Sequence, residues 1–355
     1  MNVLLLSRYG NLGASSRIRS YQYLPYLREQ GIEVTLAPLL PDDYLRDLYA
    51  GKRPGAISIL AAYAHRIGAL MQRQKFDLLW IEYELFPWLP SWLESLVLSK
   101  GTPCLVDYDD AIFHRYDRHP NLLVRRILGH KIDTVMHHAT TVVVGNEYLR
   151  DHAIKAGAQR VEILPTSVDL ARYPLPTPAR NEIFTIGWIG SPATTRYLHL
   201  IHEALAEVCA HGQARVVLVG ASEPGWQDVP HTLHPWSENT EVGEISGFDV
   251  GIMPLENSPW ERGKCGYKLI QYMACGKPVI ASPVGINTRI IEPGINGYLA
   301  ETTHDWVQAL TTLMADADLR RKMGATGRAK VESDYAVQVN APLLAAMLRV
   351  AAGKA

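Results

Sequence analysis

ERGKCGYKLIQYMACGKPVIASPVG, residues Glu261–Gly285, holds in one stretch the step that recurs along most of this chain. Lys264-Cys265-Gly266-Tyr267-Lys268 opens a helix, and Ala274-Cys275-Gly276 closes it. Lys277–Ser282 then runs apolar as a buried strand and stops at Pro283-Val284-Gly285. A helix feeding a continuously apolar strand is the repeating unit of a parallel sheet covered on both faces.

Working outward, the alternation fills both halves of the chain. Strands are expected at Val3–Leu6, Glu33–Leu36, Asp77–Glu82, Pro103–Asp107, Thr141–Val144 and Val161–Leu164. Helices are expected between them at Arg17–Gln30, Ala56–Gln74, Pro90–Ser99, Asn121–His138 and Glu147–Ala156. Pro165–Asn181, with four prolines and little periodicity, reads as a linker. The pattern restarts with strands at Phe184–Ile189, Ala214–Val219, Asp249–Met253 and Pro278–Ala281 and a helix at Thr194–His211; three helices close the chain. The reading is α/β: two doubly wound, Rossmann-like domains at 1–165 and 183–336, joined by a linker at 166–182. The last helix, 337–355, is apolar on Leu343, Leu344, Met347 and Leu348 and is expected to pack back on the first domain. In such sheets ligands bind beyond the carboxyl ends of the strands. A cleft between the domains is the expected site.

Composition narrows the classes. The 355 residues suit two domains, and 47% hydrophobic with 20% charged residues suits a globular chain with a real core. A net charge of −1 gives no reason to expect nucleic acid. The four cysteines have no metal-ligand spacing and read as free thiols in a reducing compartment. MNVLLLSRYGNLG reads as a first buried strand rather than a signal peptide, and no run of 18 apolar residues appears. A cytoplasmic protein is expected.

Physical reading of the opening stretch points to a phosphate site. A glycine at a helix start leaves backbone N–H groups bare at the positive end of the helix dipole. Lys264 and Lys268, one turn apart, are expected to share a face suited to a diphosphate. Gln271, one turn further, is within reach of a ribose. GWIGSPATTR, Gly187–Arg196, is a second approach site: a strand delivers Gly190 and Ser191 to a loop of small residues. Two more loops follow first-domain strands. Tyr9–Arg19, YGNLGASSRIR, brings Gly13, with Arg17 and Arg19 read either as acceptor-phosphate ligands or as helix surface. Val106–His114, VDYDDAIFH, brings Asp109 and Asp110, read as acceptor- or sugar-binding carboxylates or as a helix N-cap. Glu82-Tyr83-Glu84 reads as an acceptor contact or a solvent-facing loop, and Trp80, Trp88 and Trp92 as core or interface. Basic residues crowd 115–131 among apolar ones, as in a solvated helix face or a peripheral contact with anionic lipid.

On these residues the chain resembles glycosyltransferase family 4. Tyr272–Ala281, YMACGKPVIA, is similar to the family's Glu-Ala-Met-Ala-Cys-Gly-x-Pro-Val-Ile-Ala donor signature, and Gly266 falls on its second glycine. The resemblance implies the GT-B fold, a nucleoside-diphosphate sugar as donor, no metal and no other cofactor, and retention of anomeric configuration. It implies that Arg196 clamps donor phosphates where the family has lysine, that Ser191 stands where it has arginine, and that Gly13 faces the donor. Two departures stand out: Gln271 replaces the ribose-binding glutamate, and Gly263 occupies the place of the sugar-binding one. Asp109, Asp110, Arg196 and Lys268 are the candidate catalytic residues, with Gly13, Gly190, Ser191, Lys264, Gly266, Tyr267 and Gln271 binding the donor. The expected activity is sugar transfer to a saccharide or lipid-linked acceptor in cell-surface polysaccharide or glycolipid synthesis. A non-catalytic sugar-nucleotide-binding subunit and a nucleotide-sugar epimerase stay open beside it.

Overall fold

The computed structural model describes residues 1–49, 51–52, 55–99, 101–175 and 181–354. Part of the predicted linker, 176–180, lies outside the described residues. The chain divides into two compact units. The first comprises Met1–Thr166, Gly263–Cys265 and Val337–Ala355; the second comprises Ser167–Arg262 and Gly266–Ala336.

The first unit is built on six parallel strands: β1 Asn2–Leu6, β2 Glu33–Leu36, β3 Leu78–Glu82, β4 Cys104–Tyr108, β5 Thr141–Val144 and β6 Val161–Ile163. Their order is β2-β1-β3-β4-β5-β6. Every residue of β3, β4 and β5 is buried, as expected of central strands with helices on both faces. The order reverses between β1 and β3, so a crevice is expected beyond their carboxyl ends. The helix Val337–Ala351 belongs to this unit. Its Val337, Ala341, Leu344, Ala345 and Leu348 join one core with Val3, Leu5, Trp80 and Leu105.

The second unit repeats the plan with β7 Phe184–Ile189, β8 Ala214–Val219, β9 His231–His234, β10 Val250–Met253, β11 Val279–Ala281 and β12 Gly297–Leu299. Their order, β12-β11-β10-β7-β8-β9, reverses between β7 and β10. Successive residues of β7 enter different cores: Trp188 packs with Leu198, Trp306 and Leu310, and Ile189 with Leu269, Tyr272 and Met273. This is the two-faced burial that alternation along a central strand produces.

Several expected elements differ in detail. The helix expected at Arg17–Gln30 is three pieces, Ala14–Arg19, a 3₁₀ turn at Tyr21–Tyr23 and Leu24–Glu29, with Pro25 opening the last. The helix expected at Asn121–His138 is Leu122–Leu128 followed by Lys131–His138. The helix expected at Thr194–His211 is a 3₁₀ stretch, Pro192–Ile201, then an α-helix at His202–Cys209. Strands β9 and β12 and the helices Asp42–Tyr49 and Glu241–Ser246 were not read from the sequence. All four cysteines are buried and free.

Candidate functional site

In the second unit the site grows from the turn after β7. The Gly190 N–H bonds the Val219 carbonyl at 2.9 Å, which ties the loop to β8. Ser191 and Thr194 then close a reciprocal cap on the 3₁₀ stretch, with the Ser191 N–H donating to Thr194 Oγ1 at 3.1 Å. Behind the turn, the Ile189 N–H donates to the Tyr272 hydroxyl at 3.0 Å. Tyr272 also fills the space a Cβ at Gly251 would need, so this signature tyrosine is a packing residue that holds β7 and β10 beside its own helix.

Gly266 takes φ 67°, left-handed, and caps the helix Tyr267–Ala274. A side chain there would collide with Ile290, besides carrying the left-handed penalty. Two positions on, Lys268 reaches back toward β7. Its ammonium lies 4.2 Å from the Trp188 ring centroid, and a Cβ on Gly190 would sit 2.8 Å from that nitrogen. The glycine, the aromatic face and the cation therefore meet at the turn of the switch-point strand. Arg196 lies on the same loop and is 63% exposed. Its Nη2 donates to the Tyr197 hydroxyl at 3.0 Å and lies 3.6 Å from Glu261 Oε1. Tyr197 and Ser258 both donate to the buried Glu261 carboxylate. Burial and that carboxylate push the Tyr197 hydroxyl up to about 12, so it stays protonated and donating.

Two expectations for this region change. Lys264 shares no helical face with Lys268, because the helix begins at Tyr267. Lys264 belongs to the first unit, where its ammonium is 3.8 Å from Asp110, and Asn146 donates to the Gly263 and Lys264 carbonyls at 2.9 and 3.0 Å. Gln271 is buried, and its amide donates to the Tyr173 hydroxyl at 3.0 Å; that hydroxyl contacts Glu241 at 3.2 Å. A cavity of about 960 Å³ opens elsewhere, at the amino ends of β10 and β11. The charges of its Arg320 and Arg328 face Asp249, Glu332 and backbone carbonyls, so we look to the β7 turn for the ligand.

In the first unit the loops after β1, β3 and β4 carry charge into a buried setting. Gly13 lies against the Tyr9 side chain and starts the helix Ala14–Arg19. Asp109 accepts a hydrogen bond from the Tyr83 hydroxyl; neither it nor Asp110 caps a helix, since the next begins at His114 after Phe113. Glu82 and Glu84 are buried, so the reading as a solvent-facing loop is corrected. Glu82 Oε2 accepts from Ser16 Oγ at 2.5 Å and from the Arg8 N–H at 2.9 Å, while Oε1 has no hydrogen-bond partner among the described residues. Burial pushes this carboxyl up to about 7. Glu84 accepts from the Tyr116 hydroxyl at 2.9 Å and lies 3.5 Å from the Lys131 ammonium.

Arg19 is buried in a two-pronged pair with Asp107, at 2.9 and 2.6 Å, and donates to the Leu164 carbonyl. It is neither surface nor a phosphate ligand. Lys131 is also buried: it donates to Glu94 at 2.7 Å and to the Phe86 and Leu89 carbonyls at 2.8 Å, so it leaves the basic surface read over 115–131. His114 is bound on both ring nitrogens, to Asp117 at 2.9 Å and Tyr148 at 2.8 Å, and burial lowers its pKa. Trp80 is core, whereas Trp88 and Trp92 are exposed. The sequence reading leaves out Arg8, whose signal is its position directly after the first strand, and takes Arg115 only as part of the basic region 115–131.

Comparison with known proteins bears on this geometry. A family model described as Glycosyl transferases group 1 matches residues 181–316. Two curated bacterial proteins named D-inositol 3-phosphate glycosyltransferase are similar to parts of the chain. The Paenarthrobacter aurescens protein is 34% identical over 87 residues, covering 24% of this chain and 20% of that protein. The Stackebrandtia nassauensis protein is 24% identical over 204 residues, covering 48% and 44%. The matches thus span less than half the length of these relatives. Among solved structures, sucrose-phosphate synthase from Thermosynechococcus elongatus superposes with a TM-score of 0.76 at 15% identity, covering 100% of both chains. Anabaena Alr3699/HepE, in complex with UDP-glucose, gives 0.72 at 16% identity, covering 99% of this chain and 100% of that one. The fold is GT-B, and residues 181–316 are similar to the group 1 glycosyltransferase domain.

Proposed function

We propose, from this GT-B fold and the likeness to the group 1 domain, that the chain is a retaining glycosyltransferase: it moves a sugar from a nucleoside-diphosphate sugar to an acceptor hydroxyl. The observation that carries the reading is the Lys268 ammonium at the Gly190 turn, beside Trp188. There the fold expects a ligand, since β7 borders the strand-order reversal. In sugar transfer the bond from the anomeric carbon to the diphosphate oxygen breaks, and negative charge grows on the departing nucleoside diphosphate. Fixed cations and bare N–H groups stabilise that charge more than they stabilise the ground state. Lys268, Arg196 and the Gly266 helix start are assigned that work, so the reaction is expected to persist in a chelator. Asp109 and Asp110 are assigned to the acceptor or the sugar. The HepE complex with UDP-glucose makes UDP the first nucleotide to try.

Synthesis of a cell-surface polysaccharide or glycolipid on the cytoplasmic side of a membrane is the setting we propose. No described helix is long and apolar enough to cross a membrane. Leu122, Leu123 and Ile127 are exposed beside Arg125 and Arg126, which supports peripheral contact with anionic lipid.

The test is thermal melting with nucleoside diphosphates and their sugar conjugates, on the native protein and Lys268→Ala. A ligand bound only by the folded state raises the melting temperature. One nucleotide should shift the native protein and bind about ten- to a hundredfold more weakly to the variant, the worth of one charge-assisted contact. NMR of the product's anomeric proton then tests retention. No shift with any nucleotide, in a protein that melts cooperatively, would discard this reading in favour of a non-catalytic subunit.

A further inference from the structure

The crevice beyond β1 and β3 holds two arginines, Arg8 and Arg115, that share one nearby acid, Glu84. Arg8 follows β1, and its side chain is 10% exposed. Its Nη1 makes no hydrogen bond; Glu84 Oε1, at 3.8 Å, is already engaged by Tyr116. Arg115, in the short helix His114–Asp117 after β4, is partly buried, and its guanidinium has no hydrogen-bond or ion-pair partner among the described residues. Burial lowers the pKa of Arg115, and the nearby charge of Arg8 lowers it further; Tyr116, Glu84 and Tyr9 oppose this without cancelling it. The other buried cations of this unit are served differently: Arg19 has Asp107, Lys131 has Glu94, Arg66 has the Leu6 and Ser7 carbonyls, and Arg17 donates to the Asn11 carbonyl. Bringing two guanidinium groups together, partly out of water, around one carboxylate already engaged by Tyr116 and Lys131 costs stability. A cost of this kind at a switch-point crevice suits a ligand that supplies the missing charge.

We propose that Arg8 and Arg115 bind an oxyanion carried by the acceptor, so that the acceptor is a sugar phosphate or a uronate rather than a neutral sugar. Guanidinium forks match both phosphate and carboxylate, with two parallel N–H donors each. The anion fixes the acceptor's register. The assignment rests on the glycosyltransferase reading for the word acceptor, but the anion site itself does not.

The experiment is calorimetric titration with inorganic phosphate, glucose 6-phosphate, glucuronate and glucose, at constant ionic strength. It is run on Lys268→Ala, so that the donor cation does not contribute, and on that variant with Arg115→Gln added. Saturable binding of phosphate and of one anionic sugar, none of glucose, and at least about a tenfold loss with Arg115→Gln support the proposal. The two anionic sugars tell phosphate from carboxylate. Equal responses with and without Arg115, or no anion binding at all, overturn it. Melting of the ligand-free single variant Arg115→Gln separates ligand binding from architecture. It should melt no lower than the native protein, whereas a clear drop assigns Arg115 a structural role and also overturns the proposal; Arg8→Gln gives a second reading should Arg115→Gln not fold. UDP melting of Arg115→Gln serves as the separate check: a lost UDP response in every form sinks the donor reading alone.

Discussion

At the scale of single residues, Glu82 links the first unit's stability to pH. Burial raises its carboxyl from 4.5 to about 7, against the hydrogen bonds from Ser16 and Arg8; Asp109 adds to the rise and the Arg8 charge opposes it. The unfolded chain gives up this proton near its ordinary value, while the folded chain keeps it longer. The contribution is therefore full below about pH 4.5 and lost as pH rises through about 7, amounting to roughly 3 kcal/mol. Glu82→Gln should flatten the fall in melting temperature between pH 5 and pH 7.5, on the order of those two pKa values. A slope identical to that of the native protein would refute the assignment. None of this was legible in the sequence, where Glu82-Tyr83-Glu84 looked equally suited to solvent. What decides it is that β3 lies between β1 and β4, so the loop leaving it inherits the burial of the central strands.

At the scale of elements, sequence patterns mark the central strands and the first unit's edge strands β2 and β6, but neither edge strand of the second unit. Continuous apolar runs such as Phe184–Ile189 and Ala214–Val219 announce themselves because both faces are covered. His231–His234 and Gly297–Leu299 escape because an edge strand has no need of two apolar faces. The signature around Tyr272 was legible as a motif, yet its chemistry divides: Lys268 reaches the β7 turn, while Tyr272 and Gln271 hold the core together. Charge runs misled in the helix Lys131–His138. Lys131 looked like part of a basic surface, but its ammonium closes a buried network with Glu94 and two carbonyls. Lys131→Ala leaves the buried Glu94 carboxyl without its cation. It should cost about 3–5 kcal/mol in denaturant unfolding. Arg126→Ala, at an exposed position on the neighbouring helix, should stay within about 0.5 kcal/mol. Equal effects of the two substitutions would contradict the buried network.

At the scale of the whole molecule, the two units carry separate cores, so a single unfolding free energy does not describe the chain. Calorimetry should resolve two transitions. UDP should raise the one belonging to the second unit, where Lys268 and Gly190 lie, and an anionic sugar the one belonging to the first. One transition moved equally by both ligands would show that the units melt together. The doubling of the fold was plain in the sequence, and so was the apolar stripe of the last helix. That this helix completes the first core bears on how the protein is made. A ribosome releases Met1–Thr166 long before it releases Val337–Ala355. At about 5–20 residues per second, the intervening chain takes roughly 10–30 s to synthesise. Throughout that interval the newborn first sheet holds bare the apolar surface meant for Leu344 and Leu348. The half of the protein that is translated first is thus finished last, and a chaperone would find its binding face there.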